Sequence, residues 1–136
     1  MILPIKIYTT FLSLFMSFAC FAQQSTIDCT IFKEGKFYYI TSDSTAEKII
    51  IERKGKQQKE THQNTGVIVK YKVKWINDCE YQLKQTWSNN KQRRKHPNGL
   101  STILITDLMP NSYMSDCSCT FGENKKPLKI KVFKIS

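Results

Sequence analysis

Four side chains able to do chemistry stand at alternate positions across a short glycine-centred segment: Arg53, then Gln58, Glu60 and His62 after Gly55-Lys56. If Gly55-Lys56 is a two-residue turn, Arg53 lies opposite Gln58 and Ile51 opposite Glu60. Ile49, Ile51, Arg53, Gln58, Glu60 and His62 then share one face, and the isoleucines mark it as the inner one. A buried guanidinium is costly unless paired, so Arg53 and the diagonal Glu60 are expected to form a charge-assisted pair. Two roles are open to such a set. Arg53, Gln58 and His62 can present donors to an anionic head group at the mouth of a closed sheet, or an internal ion pair can simply fix strand register.

Aromatic side chains are the second resource. Phe37, Tyr39, Tyr71, Trp75, Tyr81, Trp87 and Tyr113 can line a cavity, with Trp75 and Trp87 near opposite rims. They can equally fill a small barrel as plain core. An apolar pocket with a few polar anchors suits an amphiphile, which makes Arg53, Gln58, Glu60, Trp75 and Tyr81 the expected ligand-binding residues. The third resource is the basic loop of Lys91, Arg93, Arg94, Lys95 and His96, which can track phosphates or sulfates or remain a solvated loop. No aromatic is interleaved with these charges, so base stacking is unsupported and no nucleic-acid partner is expected.

Signals of catalysis are absent from the sequence. It has no glycine-rich phosphate loop, no Gly-x-Ser-x-Gly and no His-Glu-x-x-His, and neither His62 nor His96 has the context of a nucleophile's partner. A zinc site from Cys117, Cys119, His62 and His96 lacks a second ligand pair at metal spacing. The chain is therefore expected to be neither an enzyme nor a metalloprotein, and to need no cofactor.

The elements that position these residues are strands. In "VIVKYKVKWI", Val67, Val69, Tyr71, Val73 and Trp75 point one way and Lys70, Lys72 and Lys74 the other. "CEYQLKQTW" follows, with Cys79, Tyr81, Leu83 and Trp87 inward and Glu80, Lys84 and Thr86 outward, across a turn at Asn77-Asp78. The same alternation predicts strands over 36–41, 47–54, 57–63, 101–108, 112–121 and 127–135, with a long polar loop over 88–99. Eight short strands joined mostly by tight turns predict a single antiparallel up-and-down β-barrel, with an open sandwich as the alternative.

Residues 1–22 have the parts of a secretory leader: Lys6, an apolar run from Ile7 to Phe18, and small residues in "SFACFAQQ". Cleavage near Ala22 and release is the expectation. Phe18 and Ser17 fit poorly with the alternative, lipid attachment at Cys20. Removing this segment, which carries one of the 21 basic residues, leaves a domain of 114 residues (23–136) at a formal charge of +9. That charge favours anionic small molecules or peripheral contact with an anionic envelope surface, or serves solubility alone; the protein is expected to be a monomer.

Four cysteines remain in the exported chain: Cys29, Cys79, Cys117 and Cys119. In an up-and-down order the first and fifth strands begin at the same end, so Cys29 and Cys79 can meet there. That bond would stabilise by roughly 2–4 kcal/mol. Cys117 and Cys119 share a strand face and would bond only under strain. Pairing of Cys29 or Cys79 with one of these two is the alternative.

Gly35-x-Phe37-x-Tyr39, followed by a meander, resembles the opening of the lipocalin and fatty-acid-binding superfamily. The tryptophan usual at the lipocalin opening is missing, as is a long C-terminal helix. More closely, "GKFYY", "IIERKGKQQKE" and "WINDCEYQL" are similar to a group of small, uncharacterised secreted bacterial proteins, over Cys29 to about Trp87. The resemblance implies a lipocalin-like barrel and an export route, and no activity. The combined expectation is a secreted or periplasmic protein that binds a small amphiphilic or anionic ligand without catalysis. The alternative is a secreted interaction module, an inhibitor or envelope-surface factor, acting through the basic loop.

Overall fold

The alternating runs become strands in the computed structural model, which describes residues 28–97, 99–118 and 128–135. The expected leader, Cys20, Cys119 and the segment 119–127 lie outside the described residues. The strands are β1 (Gly35–Ile40), β2 (Lys48–Lys54), β3 (Gln57–His62), β4 (Ile68–Asn77), β5 (Glu80–Ser88), β6 (Ser101–Met109), β7 (Ser112–Ser118) and β8 (Leu128–Ile135). Each pairs antiparallel with the next, and β8 returns to β1 through Lys36↔Ile135, Phe37↔Lys134 and Tyr38↔Phe133, closing the barrel. Closure removes the two free edges that an open sheet of these strands would expose. The expected up-and-down eight-stranded barrel is thus the observed fold.

Side-chain sorting follows the pleat. On β4, Val69 and Val73 are buried while Lys70, Lys72 and Lys74 are exposed. The β2–β3 hairpin turns at Gly55-Lys56, with Gly55 in the left-handed region at φ +56°. That turn sets the register Arg53↔Gln58, Ile51↔Glu60 and Ile49↔His62, and all six side chains are buried. One end of the cylinder is plugged by a 3-10 turn, Cys29–Phe32, which Asp28 initiates by accepting a hydrogen bond from the Thr30 amide at 2.9 Å. Phe32 is driven into the barrel axis, where it packs on Tyr113 and Phe37 with ring centroids 4.8 and 6.3 Å away. The expected Cys29–Cys79 disulfide fastens this plug to the β4–β5 turn, its Cα atoms 5.2 Å apart. Cys117 is also disulfide-bonded. Such bonds are consistent with an extracellular or periplasmic location.

Three local expectations are corrected. Trp87 is not inward: Lys70 pairs with Trp87 but Tyr71 with Gln85, so Thr86 is an extra residue that reverses the alternation. Ser88, not Trp87, then enters the barrel, fully buried, while Trp87 is 40% exposed and sits under the Lys70 ammonium, 5.3 Å from its ring centroid. The β4–β5 turn is at Asp78-Cys79, one residue later than expected, because the Asn77 carboxamide oxygen accepts from the Cys79 amide at 2.9 Å. The polar loop contains a short helix, α1 (Lys91–Lys95), started by Asn90, whose side chain accepts from the Arg93 amide at 3.0 Å.

Candidate ligand-binding site

Two clusters occupy the barrel interior, and the sequence had merged them. The first surrounds Arg53 beneath the plug. Its Nε donates to Gln58 Oε1 at 2.8 Å, Nη1 to the Phe32 carbonyl at 2.7 Å, and Nη2 to the Tyr81 hydroxyl at 2.9 Å and the more distant Tyr113 hydroxyl at 3.5 Å. The guanidinium also lies over the Tyr81 and Phe37 rings, 4.6 and 5.2 Å from their centroids. Burial works against the charge, but the oxygens of Tyr81 and Tyr113, and then Glu60, outweigh it and raise the pKa further. Arg53 is therefore a buried cation with internal partners at the plugged end of the barrel. Trp75 belongs to the same end: it packs on Tyr81 at 4.6 Å and carries the Lys33 ammonium 5.2 Å from its ring.

The expected direct Arg53–Glu60 pair does not form. Gln58 stands between them, accepting from Arg53 and donating through Nε2 to Glu60 Oε1 at 2.8 Å. The strand twist and the two-residue offset leave room for one amide, which relays the contact along β3.

The second cluster lines a cavity of about 140 Å³ in the half of the barrel away from the plug. One wall, from β1, β3 and β4, brings Tyr39, Gln58, Glu60 and Tyr71. The opposite wall, from β5 to β8, is mostly aliphatic, with Leu83, Ile103, Ile130 and Val132 beside Ser101 and Ser115. Leu128 also lines it and is 42% exposed, so the cavity reaches the rim. Of the expected ligand-binding residues, Gln58, Glu60 and Tyr81 face this space, whereas Arg53 and Trp75 do not. The basic loop, read from sequence as a separate patch, is divided. Arg94 Nη1 donates to the Ser88 carbonyl at 3.2 Å and Gln85 Nε2 to the Arg93 carbonyl at 2.8 Å, which holds α1 against β5. Arg93, half-buried, acts electrostatically on Tyr39, Glu60 and Tyr71. Nothing in a run of basic residues distinguishes the one that turns inward; the helix phase set by Asn90 does.

Burial dominates the electrostatics of this wall. It pushes the Glu60 carboxyl above the usual carboxylate range, against the opposing pull of the Gln58 hydrogen bond, His62, Arg53 and Arg93. It raises the Tyr39 and Tyr71 phenols as well, with Glu60 adding to both shifts, so both hydroxyls keep their protons. His62 Nδ1 meets Glu47 Oε2 at 3.0 Å, and its buried Nε2 has no hydrogen-bond partner among the described residues. The Glu47 carboxyl is held below its ordinary value by that contact.

A pH prediction follows from Glu60. Its folded pKa lies above the ordinary value of 4.5, so the folded state holds this proton to higher pH than the unfolded chain. Stability from this group is full below pH 4.5 and is lost as pH rises through the folded pKa. Glu60→Gln keeps an oxygen to accept from Gln58 and removes the ionisation. Relative to the parent it is expected to gain stability as pH rises from 4.5, by about 1.4 kcal/mol for each unit by which the pKa is raised. Urea denaturation of both proteins at pH 4 and pH 8 measures this; an unchanged difference between the two pH values contradicts it.

No family model, no curated protein and no solved structure matches the chain. Functional inference therefore rests on the cavity and the surface themselves. Among the described residues no group of His, Cys, Asp and Glu is arranged to hold a metal ion.

Proposed function

We propose that the protein is a non-enzymatic binder, exported by cleavage near Ala22, that holds a small amphiphilic molecule inside the barrel. The observation that carries this reading is the two-sided cavity: protonated Tyr39 and Tyr71 hydroxyls, Gln58 and Glu60 on one wall, and aliphatic side chains on the other. Such a division of polar anchors and apolar surface is what orients an amphiphile. A space of about 140 Å³ accommodates a body close to benzene in size. A longer molecule would extend past Leu128 at the rim.

The polar end of the ligand is a hydrogen-bond acceptor. The phenols offer protons, Glu60 is pushed toward its neutral form, and Arg93 contributes positive potential above them. A carboxylate or carbonyl head is favoured on these grounds, and Arg53 tunes the site through Gln58 without touching the ligand.

The test uses native mass spectrometry of protein purified from its own periplasm or medium, together with titration of p-cresol and short alkanoic acids. Trp75 fluorescence is the titration signal, because Trp75 packs on the cavity-lining Tyr81. A co-purifying small molecule and saturable binding are expected, both abolished by Ser115→Leu, which fills the cavity from β7. A bare mass with no titratable signal overturns the reading.

A further inference from the structure

The outer face of β2–β4 carries a charge pattern the interior does not explain. A groove of about 1130 Å³ runs across it, bordered by six lysines, Lys36, Lys54, Lys56, Lys59, Lys70 and Lys72, against two carboxylates, Glu34 and Glu52. Lys59 is paired with Glu52 at 2.7 Å, and Glu34 accepts the Gly55 amide at 3.0 Å. Six lysines thus face two carboxylates, of which Glu52 is ion-paired with Lys59 and also feels Lys36, and the groove keeps a net positive charge.

The register makes this arrangement costly. Lys59 sits directly opposite Lys70, and Lys72 directly opposite Lys84. Like charges facing one another across antiparallel strands repel, whereas a solubilising surface would intersperse the signs. Alternate residues of one strand are about 7 Å apart, so Lys70 and Lys72 form a regular row along the groove rather than a point charge. Next to this row, beside the groove-lining Thr86 but not itself a wall of the groove, Trp87 is turned outward by the extra residue in β5, with the Lys70 ammonium 5.3 Å from its ring centroid.

From these features we infer that the groove binds an anionic polysaccharide chain, carrying sulfate, phosphate or carboxylate groups. The row of lysines neutralises charges spaced along a strand-like ligand, and the Trp87 ring supplies a flat apolar face for a sugar ring. Concavity separates this ligand from a membrane: a planar bilayer meets only the rims of a groove, whereas a single glycan chain lies within it. The site is on the outside of the barrel, with Gln58 and Tyr71 of β3 and β4 contributing to the walls of both the groove and the interior cavity.

Binding of purified protein to immobilised dextran sulfate, with uncharged dextran as control, tests the inference. The parent is expected to bind the sulfated chain, to weaken with added salt, and to ignore the neutral one. Lys70→Gln with Lys72→Gln should weaken binding by about tenfold or more, and Trp87→Ala by about threefold to tenfold, from loss of the ring contact. Lys91→Gln with Lys95→Gln, exposed residues of α1 outside the groove, should stay within about twofold of the parent, since screening confines the interaction to nearby charges. All of these side chains but the half-buried Lys59, which is left intact, are exposed, so circular dichroism and Tm should match the parent. An unchanged affinity in the Lys70/Lys72 variant overturns the inference. So does an equal loss in the Lys91/Lys95 variant, or tighter binding to phosphatidylglycerol vesicles or to a single-stranded oligonucleotide than to the polysaccharide.

Discussion

Arg53→Met should cost the fold about 3–5 kcal/mol, the range seen when one member of a buried charged network is removed. The substitution has nearly the right length, so little cavity forms; the loss comes from the partners left behind. Gln58 Oε1, the Phe32 carbonyl and the Tyr81 hydroxyl each lose their donor inside the barrel. Glu60 loses a neighbouring cation as well, so its carboxyl should rise further above the ordinary range. Urea denaturation measures the cost directly. Because Arg53 does not line the cavity, a stabilised background carrying Arg53→Met should still bind the interior ligand. A variant of parental stability that no longer binds would instead make Arg53 a contact residue.

The second large effect is expected at the disulfide. Cys29 and Cys79 are 50 residues apart in sequence, and closing a loop of that size is worth about 4 kcal/mol on the loop-entropy model. Replacing both by serine removes that constraint while leaving the Cys117 bond in place. The plug should loosen before the barrel does. The 3-10 turn is only four residues long; its other anchors include the buried Phe32 ring, the contact between Arg53 and the Phe32 carbonyl, the Lys134 ammonium on the Ile31 carbonyl at 3.3 Å, and the ion pair of its C-cap Lys33 with Asp78. Hydrogen exchange should therefore accelerate first in Cys29–Phe32 and in the amides around Arg53, with a lower urea midpoint overall. Loss of protection that begins instead in β6 and β7 would contradict the assignment of the plug as the least stable unit.

These two effects meet at one end of the barrel, and that end is where reading the sequence went furthest. The Gly55-Lys56 turn, the facing of Arg53 by Gln58, and the inward set from Ile49 to His62 all follow from a period of two and a two-residue turn. The Cys29–Cys79 bond followed from strand parity in a meander. What failed there was finer: Arg53 and Glu60 are separated by Gln58, and Arg53 is covered by the plug. Alternation tells which face a side chain takes, but it does not tell how far along the axis two inward groups lie after the sheet twists and closes.

The far end was less legible. Tyr39 and Ser115 could be placed inside by alternation with Phe37, Tyr113 and Cys117, yet their convergence with Glu60 on one cavity depends on which strands face each other across the cylinder. Strict alternation points Trp87 inward, but a single extra residue reverses the pattern there, and no residue type announces it. Arg93 was one of several equivalent basic residues until the Asn90 cap fixed the phase of α1.

By itself, then, the sequence determined the strands, their order and the inner and outer faces of most of them, and it favoured the bond between Cys29 and Cys79 over the other pairings, which the structure then showed. These are local or parity properties, set by the pleat and by turns two residues long. Tertiary structure alone decided that Arg53 is held by internal partners at the plugged end, that Glu60 looks into a hollow of mixed character, and that Lys59, Lys70 and Lys72 gather beside an outward Trp87. Such groupings depend on closure, twist and one irregular residue, which act between strands far apart in the chain.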